Sequence, residues 1–289
     1  MGLTNKKDLI QKIKRGIGKT GFPLEMEIGD ILRSREWFVV HSHYYVDPEE
    51  FIFRECDIRA CKIIEGIQCH LFIACKHSTD TQWVFFVPTQ YSYTFSGLKY
   101  LPIRVEFELP LPTTKVFDLL PVRSPSTSTA LNMSIFKGDE PQTKQYDFRS
   151  ALFSVTKALL AMASQSLTTK ARNIYLPVIV FDGPIFIVRK EKGTRVEESS
   201  HVVYKHFAPL NLWGLSARQL GSPFYKDILG AKEILGDYYL IEILAVNHVE
   251  AWLKKLEDAI SVIGKSDLSR WGVPAVFPPK FVSAKQNEK

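Results

Sequence analysis

The fold of this chain is decided by two strand-like runs, Arg54-Glu55-Cys56-Asp57-Ile58-Arg59-Ala60 and Leu71-Phe72-Ile73-Ala74-Cys75-Lys76. A turn sequence, Glu65-Gly66-Ile67-Gln68, joins them. Side chains alternate between the two faces of a strand, so Phe72, Ala74 and Lys76 share one face. A hairpin folded about the Gly66–Ile67 bond would put Asp57 opposite Lys76 and Arg59 opposite Ala74. The sequence therefore predicts a carboxylate beside a lysine at one end of a small sheet.

A second carboxylate is predicted on a helix that precedes these strands. In the segment 21–32, Thr20 lies near the cap and Pro23 in the first turn, as is typical of a helix start. The apolar positions that form its buried stripe are Leu24, Ile28, Ile31 and Leu32. At about 100° per residue, Glu25 lies at the edge of that stripe and Glu27 points further away. Glu25 is therefore the acid expected to face the sheet.

These residue types suit the hydrolysis of a phosphodiester. That reaction uses a hard cation, held by oxygen ligands, to stabilise charge on the phosphate or to position a water molecule. Asp57 and Glu25 are candidate ligands. Two simpler interpretations stay open: Asp57 and Lys76 can form an ordinary cross-strand ion pair, and Glu25 can complement the helix dipole.

The order of these motifs resembles the PD-(D/E)XK superfamily of restriction-endonuclease-like nucleases. The matching segments are Gly21-Phe22-Pro23-Leu24-Glu25, Tyr45-Val46-Asp47, Arg54-Glu55-Cys56-Asp57-Ile58, Ile73-Ala74-Cys75-Lys76 and the aromatic strand Trp83-Val84-Phe85-Phe86. The resemblance extends over about residues 20–90, and the segment 148–187 is similar to the later part of such proteins.

The resemblance implies roles for the site residues and for their partners. Glu25 and Asp57 would hold Mg²⁺ or Mn²⁺ together with the backbone carbonyl of Cys75. Lys76 would contact the nucleophile or the phosphate. The implied partner is nucleic acid, with DNA favoured over RNA, and a homodimer is compatible with the class.

The chain departs from the family motif at Ala74, where the family places an acid two residues before the lysine. Alanine has no ligating atom, and Arg59 would repel a cation if it reached the vacant position. Glu55 shares a strand face with Asp57 and is a better substitute acid than Glu27. Three functions stay open: a metal-dependent endonuclease, a non-catalytic pseudo-nuclease that binds nucleic acid or protein, and an interaction protein that never meets nucleic acid.

Composition agrees with an intracellular globular protein. The 289 residues are 45% hydrophobic and carry a formal net charge of +6. The N-terminal segment predicts an amphipathic helix whose basic face comprises Lys6, Lys7, Lys12, Lys14, Arg15 and Lys19. The cysteines Cys56, Cys61, Cys69 and Cys75 lack zinc-site spacing and are expected to fill the core. With no apolar signal or membrane-spanning run, we expect a cytoplasmic protein with no membrane partner.

The predicted fold class is mixed α/β: a restriction-endonuclease-like mixed central sheet flanked by helices, with a C-terminal α+β extension. Residues 1–120 would form the core, 121–146 a flexible loop rich in Pro, Ser and Thr, and 147–289 the rest of the fold with a C-terminal helical extension packed on the core. Helices are expected over about 148–164, 231–235 and 249–263. Strands are expected over 104–109 and 202–207 and on both sides of the turn Asp182-Gly183.

Overall fold

The computed structural model describes residues 6–17, 20–47, 50–87, 128–143, 145–166, 172–190, 193–207 and 238–265. The helices in these ranges are α1 (Lys6–Ile17), α2 (Phe22–Ser34), α3 (Tyr146–Ser166) and α4 (Val249–Lys265), with a 3₁₀ turn at Val246–His248. The strands are β1 (Phe38–Val46), β2 (Phe53–Ile64), β3 (Ile67–His77), β4 (Gln82–Val87), β5 (Ser128–Ala130), β6 (Asn132–Lys137), β7 (Glu140–Gln142), β8 (Arg172–Asp182), β9 (Ile185–Lys190), β10 (Thr194–Glu198), β11 (His201–Phe207) and β12 (Tyr238–Ala245). The predicted mixed α/β class is confirmed.

The larger sheet is mixed and has seven strands in the order β1-β2-β3-β8-β12-β11-β5. The strands β1, β2 and β3 form an antiparallel meander, whereas β8 runs parallel to β3 and β12 parallel to β8. A parallel neighbour requires a crossover connection. The helix α3 lies within the connection from β3 to β8 and packs on both strands.

Two hydrophobic cores cover the two faces of this sheet. One contains Leu71, Ile73 and Cys75 of β3 together with apolar residues of α2 and α4. The other contains Phe72 and Ala74 with residues of α3 and of the second sheet. Because β3 is buried on both faces, its residues 71–75 form a continuous apolar run rather than an alternating pattern.

The second sheet has five strands in the order β10-β9-β4-β6-β7. The chain passes from the larger sheet into it twice, from β3 to β4 and from β8 to β9. The strand β8 runs parallel to β3 in the larger sheet, and β9 runs parallel to β4 in the smaller one. The two crossings lie side by side, since the amide of Ser78 donates to the Asp182 carbonyl at 3.1 Å and that of Trp83 to the Pro184 carbonyl at 3.0 Å. The ring of Trp83 stacks on Phe181 with 4.0 Å between centroids. The two sheets are therefore bound together at this point.

The turn between β2 and β3 is centred one residue earlier than predicted, on Glu65 and Gly66. Glu65 and Gly66 have positive φ angles of 48° and 75°, the pattern of a two-residue type I′ turn. Ile64 therefore pairs with Ile67, and Arg59 lies opposite Phe72 rather than Ala74. The predicted register was wrong by two residues because a turn centred on Gly66 and Ile67 was expected.

Most predicted elements inside the described ranges are confirmed. These are the helices α1, α2, α3 and α4 and the strands β2, β3, β4, β8, β9 and β11. The loop predicted at 121–146 was wrong in part, because it contains β5, β6 and β7; Met133 and Ile135 of β6 are buried against β4. The segments 104–109 and 231–235 lie outside the described residues. Among the helices described, none has the length and apolarity needed to cross a membrane.

Candidate functional site

The site is organised by Asp57, at the point where β2 separates from β3. The ladder between the two strands ends at the pair Ile58 and Ile73. Beyond it, the amide of Cys75 donates to Asp57 Oδ2 at 2.8 Å. The carboxylate thus takes a hydrogen bond that a backbone carbonyl would otherwise accept, and it is held close to the end of β3.

Strand alternation is broken at this position. Cys56 and Ile58 are two residues apart but belong to cores on opposite faces of the sheet. On the neighbouring strand, Ser42 lies between the residues that pair with Ile58 and Cys56, and its φ is +49°. A non-glycine residue in the left-handed region costs about 1–2 kcal/mol. The distortion of β1 and β2 thus coincides with the position of Asp57.

Burial raises the pKa of the Asp57 carboxyl above its ordinary value. The Cys75 amide and the charge of Lys76 lower this pKa, while the charge of Glu55 raises it further. The site therefore holds an acid whose negative charge is not fully compensated by the protein.

Glu25 joins the site from the first turn of α2. Burial raises the pKa of its carboxyl, the charges of Asp57 and Glu55 raise it further, and Lys76 opposes them. A methyl group on Gly21 would lie 3.6 Å from Glu25 Oε1 and 3.9 Å from the Cys75 carbonyl oxygen. The carboxylate of Glu25 and the carbonyl of Cys75 therefore border one small space, as predicted from the orientation of the helix.

The candidate metal ligand at Cys75 is its backbone carbonyl and not its sulfur. Its side chain is buried in the core beneath α2, and burial raises the pKa of the thiol well above its usual range. A protonated thiol is a poor metal ligand, since the thiolate is the form that binds metals. Cys56, Cys61 and Cys69 are likewise free, and all but Cys61 are buried, as expected for core-filling residues.

Ala74 and Arg59 stand apart from these groups. Ala74 is 1% exposed and packs in the core beneath α3, so its position supplies no ligand. The charge of Arg59 acts on His43, where burial and this charge lower the pKa of the imidazole. The expectation that Arg59 would lie opposite Ala74 was wrong for the register reason given above. Glu55, which is exposed, acts electrostatically on both Glu25 and Asp57.

Sequence reasoning missed the ion-pair cluster of Asp47, Arg54 and Lys157 beside the candidate site. Asp47 is fully buried, and its Oδ2 accepts from Arg54 Nε at 2.9 Å and from Lys157 Nζ at 2.8 Å. Its Oδ1 accepts from the amide of Glu50 at 3.1 Å. The Tyr-x-Asp motif had marked Asp47, but Lys157 comes from α3, more than a hundred residues further along the chain.

An open cleft of about 770 Å³ lies beside these residues. Asp57, Lys76 and Glu55 line it together with Arg54 and Lys157. Its volume falls within the range of about 300–1,000 Å³ that is usual for ligand sites. The cleft gives a ligand in solution access to Asp57 and Lys76.

The candidate donors for a metal ion are the carboxylates of Glu25 and Asp57 and the carbonyl of Cys75. Within the described residues, no group of three or more His, Cys, Asp or Glu side chains is arranged to hold a metal ion. The raised pKa values of Glu25 and Asp57 nevertheless indicate clustered, partly desolvated carboxylates, which a hard cation would stabilise. Comparison with models of protein families, with curated proteins and with solved structures gives no match to this chain.

Proposed function

We propose that this protein is a metal-dependent phosphodiester hydrolase of the restriction-endonuclease-like class and that it acts on nucleic acid. One observation carries the proposal: the Cys75 amide holds the carboxylate of Asp57 at the end of β3, where Asp57 and Lys76 line an open cleft. The charges of Asp57 and Lys76 both act on Glu25. The order of elements supports the proposal. A helix and an antiparallel meander come first, and after the strands β4 to β7 a crossover helix leads to a strand parallel to β3.

Each residue of the site has a role in this proposal. Glu25, Asp57 and the Cys75 carbonyl would hold Mg²⁺ or Mn²⁺, which would supply positive charge for the phosphate and a more acidic water molecule. Lys76 contributes a positive charge next to Asp57, where it contacts the phosphate or orients the attacking water. The Cys75 amide fixes the carboxylate of Asp57 through its 2.8 Å hydrogen bond.

Glu55 compensates for the missing acid at Ala74. Its charge raises the pKa of both Glu25 and Asp57, so it adds negative charge to the same end of the sheet. Glu55 is on β2, whereas the family motif carries its second acid on β3. The charge count of the site is thereby restored from another strand.

The test is cleavage of plasmid DNA, single-stranded DNA and RNA with Mg²⁺ and with Mn²⁺. Wild type is compared with Asp57→Ala, Lys76→Ala and Glu55→Gln preparations purified identically. We expect cleavage by wild type, a loss of at least a hundredfold (~10²) in the first two variants and a smaller loss in the third. A matched control is Asp80→Ala. Asp80 is exposed, forms an ion pair with Lys137 at 2.6 Å and does not line the cleft.

The alternative function is a non-catalytic protein that binds nucleic acid or a protein partner at the same surface. The observation that favours it is the burial of Ala74 where the family motif has an acid. Equal trace cleavage in wild type and in Asp57→Ala, combined with no stabilisation by Mg²⁺, is the result that selects this alternative.

A further inference from the structure

The rim of the cleft carries exposed aromatic side chains. Tyr44, Phe53 and Phe153 are 62%, 76% and 48% exposed and line the same cleft as Asp57 and Lys76. Tyr44 lies opposite Glu55 on the neighbouring strand, and Phe53 precedes Glu55 by two residues. Phe153 projects from α3, with Lys157 Nζ 5.9 Å from its ring centroid. Three rings from three elements thus line the cleft.

The charges that line the cleft are balanced. Arg54, Lys76 and Lys157 are positive, and Glu50, Glu55 and Asp57 are negative. Arg54 and Lys157 are already bound to the buried Asp47. Lys76 is therefore the cation beside Asp57 that a phosphate would meet.

Because the charges are balanced, the cleft is poorly suited to binding a duplex through its phosphate backbone. A protein that binds duplex DNA through its phosphates does so by neutralising several of them, and its affinity then falls steeply with salt. Stacking works differently: every unpaired base presents a flat face to an aromatic ring, whatever the sequence. In a duplex those faces are covered by neighbouring bases.

We propose that the site takes unpaired nucleic acid, with bases stacked on Tyr44, Phe53 and Phe153 and a phosphate directed to Lys76. The substrate class is a single strand or an unpaired end. This inference rests on the proposed function and specifies its substrate. The aromatic rings supply most of the affinity, and Lys76 with the carboxylates supplies the position of one phosphodiester.

The test is fluorescence anisotropy with three labelled probes: a 15-nucleotide DNA, the blunt 15-base-pair duplex of the same sequence and the corresponding RNA strand. Binding is measured with Ca²⁺, an oxygen-seeking cation larger than Mg²⁺, and each probe is checked by gel to be intact. We expect the single-stranded probes to bind at least ten times (~10-fold) more tightly than the duplex. Their affinity should depend weakly on salt, since few phosphates are neutralised.

The variants are Tyr44→Ala, Phe53→Ala and Phe153→Ala. Each should weaken single-strand binding about 5- to 100-fold, the range measured for loss of one stacking ring. Tyr44→Phe keeps the ring and should restore wild-type affinity. Phe38→Ala is the matched control: Phe38 is also exposed on β1, at 70%, but it pairs with Cys61 at the far end of β2.

Each result decides between the two proposals. Tight duplex binding, or ring variants that behave like Phe38→Ala, overturns the single-strand inference; cleavage of the duplex would leave the nuclease proposal in place. Single-strand binding that depends on the rings, without cleavage in Mg²⁺ or Mn²⁺, supports the inference and rejects the nuclease. The RNA arm shows whether the bound strand is DNA, RNA or either.

Discussion

Lys157 of α3 reaches the fully buried carboxylate of Asp47, with 2.8 Å between Nζ and Oδ2. This contact joins the crossover helix to the end of β1. The same oxygen of Asp47 also accepts a hydrogen bond from Arg54 Nε at 2.9 Å. One acid thereby fixes two cations on the wall of the cleft.

Replacing Asp47 by alanine should destabilise the protein strongly. The change removes the counter-charge of Lys157, whose side chain is only 14% exposed. Removal of one partner from a buried ion pair costs about 3–5 kcal/mol. Urea denaturation followed by circular dichroism measures the change in the free energy of unfolding. Asp80→Ala, in an exposed pair, is the control and should leave the midpoint unchanged; equal midpoints for the two variants would contradict the prediction.

Asp57→Asn should be more stable than wild type near pH 7. Burial raises the folded-state pKa of Asp57 above its ordinary value, so the folded protein binds the proton more tightly than the unfolded chain. Stability from this group is therefore greatest at low pH and is lost as pH rises through the raised pKa. Asparagine does not titrate and retains an oxygen for the Cys75 amide. Each kcal/mol gained should raise Tm by about 2–4 °C.

The same pair of proteins tests the cation. Added Mg²⁺ should raise the Tm of wild type, since a ligand that binds only the folded state stabilises it. It should raise the Tm of Asp57→Asn less. If both melting temperatures respond equally, the ion binds elsewhere and the role of Asp57 as a ligand is rejected.

Glu257 gives a pH dependence of the opposite sign. It accepts from Arg35 at 2.6 Å and from Trp37 Nε1 at 2.8 Å, which attaches α4 to the segment between α2 and β1. Burial raises the pKa of this carboxyl, but these hydrogen bonds, with the charges of Lys62 and Arg35, outweigh it and hold the pKa below its ordinary value of 4.5. Its stabilising contribution is thus complete above 4.5 and lost as pH falls through the lowered pKa. Unfolding free energies at pH 3 to 7 should converge for wild type and Glu257→Gln at the acidic end, and parallel curves would contradict this role.

Gly264 lies against the β2–β3 turn so closely that it tolerates no side chain. A Cβ there would be 2.3 Å from Glu65 Cβ and 2.9 Å from the Glu65 carbonyl oxygen. Gly264→Ala should therefore destabilise the protein by about 1–3 kcal/mol, despite the better helix propensity of alanine. Gly16→Ala in α1 is the matched control because a Cβ there meets nothing within 4 Å. Thermal unfolding of the two variants side by side gives the comparison; a Gly264→Ala protein as stable as the control would show that the turn yields.

Local sequence patterns were sufficient to select three residues of the candidate site. Glu25 follows from helix periodicity, and Asp57 and Lys76 from two strands joined by a short turn. The register of that hairpin was not predictable from the same pattern. It depends on Glu65 adopting a positive φ, a conformation that glycine or asparagine would have signalled more clearly.

Long-range partners explain the rest of what was missed. The contact of Lys157 with Asp47 joins residues far apart in sequence, and nothing in either segment indicates the other. The strand β6 was hidden in a polar stretch because only Met133 and Ile135 of its residues are buried, and its pairing with β4 supplies the rest of its stability. Such contacts follow from the assembled sheet and not from local composition.

The paired crossings from the larger sheet into the smaller one have a consequence for any attempt to dissect the protein. Lys76 lies two residues before Ser78, whose amide is tied to the parallel crossing at Asp182. The smaller sheet therefore restrains the end of β3. A shortened chain without that sheet would leave Lys76 and the end of the strand without this support.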